Sequence, residues 1–130
     1  MTTILLDTHV IHWWSAEPDK LSKRATTAIE ESDELAVSAI TWFELAWLAA
    51  NGRIDIAIPI ATWLREISQQ VHTIGITPTI AEIAVMLPST MSSDPADRII
   101  FASAIDNGWK LVSKDQAIRA HRHPGISVVW

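Results

Sequence analysis

Residues 94–115 read Asp94-Pro95-Ala96-Asp97-Arg98-Ile99-Ile100-Phe101-Ala102-Ser103-Ala104-Ile105-Asp106-Asn107-Gly108-Trp109-Lys110-Leu111-Val112-Ser113-Lys114-Asp115. Aspartate followed by proline is a helix start: the carboxylate caps, and the ring suits the first helical position. The helix runs to Asn107 and Gly108 ends it. Lys110–Ser113 is then a short apolar strand, and Asp115 opens another short helix towards His121. A helix, a strand and a new cap within twenty-two residues is the grammar of an α/β sheet.

The same grammar extends outward. Thr3–Leu6 is a buried strand that stops at Asp7, where a helix starts and continues to Trp14. Asp19–Ser32 carries Leu21, Ala25, Ala28 and Ile29 at helical spacing. Leu35–Ser38 is a second strand. A helix follows from Thr41 to Asn51, closed by Gly52. Ile60, Trp63, Leu64 and Ile67 mark a helix entered through Pro59. His72–Ile76 is a third strand, and Thr77-Pro78 caps a helix bearing Ile80, Ile83, Ala84 and Leu87. Ile126–Val129 is a last strand. The alternation predicts a three-layer α/β/α domain over residues 1–130, with an open, mostly parallel sheet of about five strands.

Composition narrows the function. The chain has 130 residues, 48% of them hydrophobic and 19% charged, with a mean hydropathy of +0.18, which excludes a disordered chain. Ten basic and fifteen acidic side chains give a net charge of −5, which argues against a strongly basic nucleic-acid binder. Without cysteine there is no disulfide, thiolate catalyst or cysteine-ligated zinc. The four scattered glycines spell neither a dinucleotide-binding loop nor a P-loop. No signal segment or apolar run of membrane-spanning length is present, so a cytoplasmic location is expected.

Four acids stand out: Asp7, Glu44, Asp97 and Asp115. Each has a purely structural reading. Thr41 to Glu44 spells a capping box, Asp97 sits at the third helical position, and Asp7 and Asp115 are possible N-caps. In a parallel sheet, however, strand ends and the following helix starts share one edge, the edge where such folds bind ligands. Capping explains each acid, but not why the helix starts at Lys20-Leu21 and Pro78 lack one. Crowded carboxylates raise one another's pKa unless a cation neutralises them. Hard divalent ions suit all-oxygen sites and can activate water against a phosphodiester.

The stretches Leu5-Leu6-Asp7-Thr8-His9, Val37-Ser38-Ala39-Ile40-Thr41-Trp42-Phe43-Glu44-Leu45-Ala46, Asp94–Ala104 and Leu111-Val112-Ser113-Lys114-Asp115 together resemble the PIN domain family. Within it they are similar to the VapC-type ribonuclease toxins of toxin–antitoxin pairs. The resemblance implies Mg²⁺- or Mn²⁺-dependent endonucleolytic cleavage of RNA, with Asp7, Glu44, Asp97 and Asp115 as catalytic, metal-holding residues. It also implies a homodimer and a cognate antitoxin protein. Asp94 is then the cap of its helix rather than a ligand.

Supporting roles fall to Thr8 and Ser113, which flank strand-end acids, and to Arg98, which could pair with an acid or contact phosphate. Lys114, Arg119 and Arg122 lie near the same edge and are candidates for holding RNA backbone. His9 and His12 have zinc-helix spacing but lack a third ligand. His121-Arg122-His123 reads as an exposed turn.

Seven tryptophans are many for this length. Trp13 and Trp14, adjacent on a helix, cannot both face one core. The Thr41 helix has two apolar stripes, Phe43/Ala46/Trp47/Ala50 and Trp42/Leu45/Ala49, of which one can face a partner. The alternative to a nuclease is a non-catalytic α/β binding module whose acids only cap helices. An aspartate-nucleophile phosphotransferase fits poorly, because His9 stands where its second aspartate belongs.

Overall fold

The computed structural model describes all of residues 1–130. Five strands form one parallel sheet: β1 (Thr3–Leu6), β2 (Glu34–Ser38), β3 (His72–Ile74), β4 (Lys110–Val112) and β5 (Val128–Val129). Their spatial order is β3-β2-β1-β4-β5. The chain winds outward from β1 through β2 to β3, then crosses back to lay β4 on the other side of β1. The strand order therefore reverses between β1 and β4, and a crevice opens beyond their carboxyl ends.

Side-chain alternation builds both faces of the sheet. Ile4, Leu6, Val37 and Val112 point to one side. There they meet Val10 and Ile11 of α1 (Thr8–Ala16), Ala25 and Ile29 of α2 (Lys23–Glu31), Leu45 of α3 (Ala39–Ala50), and Trp63 and Ile67 of α4 (Ile60–Ser68). Leu5, Ala36 and Leu111 point to the other side. They pack on Ile100, Phe101 and Ala104 of α6 (Pro95–Asn107) and Ile118 of α7 (Gln116–Ala120). Helix α5 (Pro78–Met86) lies outside α6, joined to it through Ile80, Ala84 and Ala102. Both sheet faces are covered, as an all-parallel sheet requires.

Most expected caps are present. Thr77 and Asp94 each accept a first-turn amide with proline next, and Gly52 and Gly108 both adopt φ +67° at helix ends.

Four expectations are corrected. The helix placed over Asp19–Ser32 starts only at Lys23. Ser22 Oγ accepts from the Ala25 amide at 3.0 Å, and a separate 3-10 turn spans Pro18–Lys20. The strand placed over His72–Ile76 ends at Ile74, and the one over Ile126–Val129 is confined to Val128–Val129. Helix α3 starts at Ala39, not Thr41, because Ser38 at the end of β2 is its cap, accepting from the Ile40 amide. Glu44 is therefore in the second turn, no capping box forms, and the carboxylate is free for other contacts.

Of the two stripes of α3, Leu45 is buried with Trp42 and Ala49 beside it. Phe43 and Trp47 face outward, 66% and 48% exposed.

Candidate active site

Asp7 is the residue at which β1 hands over to α1. Its backbone amide still donates to Val112 of β4 at 3.0 Å, which fixes it at the reversal point. Its Oδ1 accepts from the Thr8 amide at 2.8 Å, and its Oδ2 accepts from the Ser113 hydroxyl at 2.6 Å. Only 6% of Asp7 is exposed. Burial raises its pKa, and the Ser113 and Thr8 hydrogen bonds partly oppose that rise.

The other acids arrive from separate elements. Glu44, on the second turn of α3, accepts a short hydrogen bond from Thr8 Oγ1, which also touches Thr41 Oγ1 at 3.4 Å. Asp97, in the first turn of α6, accepts from Ser92 Oγ at 3.0 Å. Asp115 caps α7 through the Ile118 amide at 3.0 Å, which leaves its second oxygen uncommitted. All four line one cleft of about 490 Å³, with Asp94, Thr8, His9, Trp13, Leu48 and Lys114.

The cleft is electrostatically unbalanced. Burial raises the pKa of Glu44, and Asp94 and Asp7 add like charge. Asp97 is pushed up to about 7, first by burial and then by the fields of Asp7 and Asp94. Such a site gains from a bound cation. Its carboxylates and hydroxyls are hard oxygen donors, which fit Mg²⁺ or Mn²⁺, with His9 the one imidazole in the lining. No three carboxylates converge as a ready-made cage. The four-acid set is thus brought to one cleft, but not to one point.

The hydroxyls have defined work. Thr8 links Glu44 to the end of β1, and Ser113 bridges Asp7 to the Asp115 amide, which donates to its Oγ at 3.1 Å. Ser92 and the cleft wall formed by Trp13 and Leu48 carried no signal in the sequence: serine before a cap is commonplace, and nothing in the spacing of Trp13 fixed which way it points.

Arg98 pairs with no acid, against the expectation that it could. Its guanidinium donates to five backbone carbonyls. Nε reaches Ala84 O at 2.9 Å. Nη1 reaches Ser92 O at 2.8 Å and Pro88 O at 3.2 Å. Nη2 reaches Val85 O at 3.3 Å and also Leu87 O. It satisfies the end of α5 and fixes the loop that carries Ser92 to Asp97.

The histidines separate. His9 is exposed at the cleft, its ring 5.7 Å from Trp13. His12 is buried edge-on to Trp63, and burial holds its pKa low. They do not form a zinc pair. His121 and His123 stand edge-on to Phe101 at 5.3 and 6.3 Å, so that turn is packed rather than simply exposed.

A parallel sheet of this order, with acids from strand ends and helix starts in the reversal crevice, defines an α/β class with a carboxylate-lined cleft. The chain belongs to the PIN domain family, whose model matches residues 4–123. It is 58% identical over 130 residues to Ribonuclease VapC22 of Mycobacterium tuberculosis, with all of both chains covered. Its fold is similar to a chain of a toxin–antitoxin complex from Klebsiella pneumoniae, with TM-score 0.69, 24% identity, and 95% and 94% of the two chains covered. It is also similar to a chain of VapBC2 from Rickettsia felis bound to a DNA fragment from their promoter. There the TM-score is 0.70 at 15% identity, with 98% and 97% covered.

Proposed function

We propose that this chain is a divalent-metal-dependent endoribonuclease, the toxin of a toxin–antitoxin pair. One observation carries the reading: Asp7, Glu44, Asp97 and Asp115 share one cleft at the strand reversal, with the pKa of three of them raised. The full-length likeness to a ribonuclease of the VapC type supports RNA as the substrate. Helix capping alone accounts poorly for Glu44, which caps nothing.

Asp7 and Asp97 would hold the ion, with Glu44 and Asp115 orienting its waters. When bound, the ion supplies positive charge beside the phosphate and an acidified water to attack it. Asp7 is held in one rotamer by the Ser113 and Thr8 donors, so that no reorganisation is needed on binding. Thr8 holds Glu44 towards the cleft, and Ser92 does the same for Asp97.

Purified protein is expected to cut RNA in Mg²⁺ or Mn²⁺ and to stop in EDTA; undiminished cleavage in EDTA would overturn the metal mechanism. The metal dependence should carry a pH signature. Without metal, Asp97 titrates near 7 in the folded chain against an ordinary 3.8. A raised carboxylate pKa means the folded state binds the proton more tightly. The associated stability is full below the ordinary value and is lost as pH rises through about 7. Because Asp97 remains partly open to solvent, the loss is on the order of 1 kcal/mol. Cation binding needs the ionised form, so thermal stabilisation by Mg²⁺ should be larger at about pH 8 than at about pH 5.5. Melts with Mg²⁺ and with EDTA across that range check both signs.

The antitoxin partner belongs to the same reading, supported by the toxin–antitoxin assemblies among the structural relatives. A homodimer is proposed through the outward stripe of α3, where Phe43 and Trp47 expose indole and phenyl surface. Light scattering at micromolar protein should return twice the chain mass. A strictly monomeric mass would remove the dimer and leave the nuclease reading untouched.

A further inference from the structure

A second polar depression, of about 700 Å³, lies beside the last strand and is lined by Arg24, Arg119, Arg122, Gln116, Ser127 and Trp130, among others. The three arginines are exposed and free of ion pairs: the chain's salt bridges join only Glu17 to His12 and Lys20. The Trp130 ring lies 5.7 Å from that of Trp13, which lines the acid cleft. Lys114 Nζ stands over both indoles, 5.6 and 6.0 Å from their centroids. The acid cleft and the arginine depression share no lining residue, but the Trp13–Trp130 contact joins their walls.

Two details of that wall set it apart from the packed core. Lys114 is the only cation lining a cleft with five carboxylates, yet its ammonium pairs with none and rests on tryptophan instead. Trp13 is half-buried, yet it belongs to neither packed cluster of the sheet, whereas Trp14 and Trp130 pack against one of them. Four of the ten cations of a chain with net charge −5 lie along this strip.

We propose that the strip is a track for single-stranded RNA running from the acid cleft, across Lys114 and the Trp13/Trp130 pair, to Arg119, Arg122 and Arg24. The proposal rests on the ribonuclease reading above. Arginine and lysine meet phosphates, and tilted indoles offer faces to unstacked bases. Neither reads base edges, so the track supplies affinity and register rather than sequence choice.

The test measures anisotropy of a fluorescein-labelled, mixed-sequence 20-nucleotide single-stranded RNA in EDTA, where nothing is cut. The double variant Arg119→Gln/Arg122→Gln should bind at least ~10-fold more weakly, and its slope of log affinity against log salt should shrink by about 1.4, or ~0.7 per phosphate contact. A charge-matched control, Arg53→Gln/Arg65→Gln, should stay within about twofold of wild type, since loss of overall charge alone is not the cause. Trp13→Ala should cost roughly tenfold and Trp13→Phe much less, because phenyl keeps a stacking face. If Trp13→Ala does not fold, Lys114→Gln, at an exposed position, is expected to weaken binding and to raise KM with single-turnover rate preserved.

Variants with unchanged affinity, salt slope and KM, in a protein whose wild type cuts RNA in Mg²⁺, would overturn the track and leave the nuclease reading standing. A wild type that neither binds nor cuts RNA overturns both. Variants that lose an acidic antitoxin peptide while keeping RNA also overturn the track and assign the strip to protein docking.

Discussion

Asp97→Asn is expected to lower RNA cleavage in Mg²⁺ by at least ~100-fold while the metal-free fold melts no lower than wild type. The two halves have one cause. Asp97 titrates near 7 because burial and the fields of Asp7 and Asp94 oppose its charge, so a neutral amide relieves repulsion. The Ser92 hydroxyl can still donate to the amide oxygen, so the local hydrogen bond survives. What is lost is the negative charge proposed to hold the ion, and losses even in the groups that merely support metal ligands often cost 10–100-fold.

Glu44→Gln should behave alike, since the Thr8 hydroxyl keeps an acceptor; Asp7→Asn should lose cleavage to the same degree but melt somewhat lower, because both Asp7 oxygens accept and an amide offers only one. Asp115→Asn preserves an N-cap of equal quality. The readout pairs melts in EDTA with cleavage rates in Mg²⁺. A folded variant that cuts at the wild-type rate removes that residue from the catalytic set.

The largest purely structural effect is expected at Arg98. One guanidinium serves five carbonyls, three of them in the chain that leaves α5. Arg98→Ala should destabilise the protein by about 2–4 kcal/mol, or about 10 °C in Tm, because the part-buried carbonyls of Ala84, Leu87 and Ser92 lose a charged donor. Arg98→Lys should rescue little, since one ammonium cannot span the fork. Cleavage should also fall in the folded fraction, because Ser92 loses the loop geometry that brings it to Asp97. An Arg98→Lys protein with wild-type Tm would show that the carbonyls are satisfied without the fork.

The sequence alone determined the layered α/β fold and the ganging of four acids at one edge. Both follow from local signals: short apolar strands, Asp-Pro and Thr-Pro starts, and glycine stops, each read within a few residues. Where helices meet strands through a single capping residue, local chemistry also names the edge on which that residue lies. Helix limits were less legible. Ser38 took the cap expected of Thr41, because β2 hands directly to α3, and α2 begins only after Ser22, because a 3-10 turn precedes it.

Only the tertiary structure decided which groups touch. The sheet order β3-β2-β1-β4-β5 sets Ser113 beside Asp7 across 106 residues and Thr8 beside Glu44 across 36. It also turned Arg98 away from the acids to the end of α5, and set Trp13 against the C-terminal Trp130. Contacts of that kind depend on the path of a crossover and the rotation of a helix about its axis. Neither is encoded in spacing, because a helix of the same pattern can present either of two apolar stripes, and packing chooses between them.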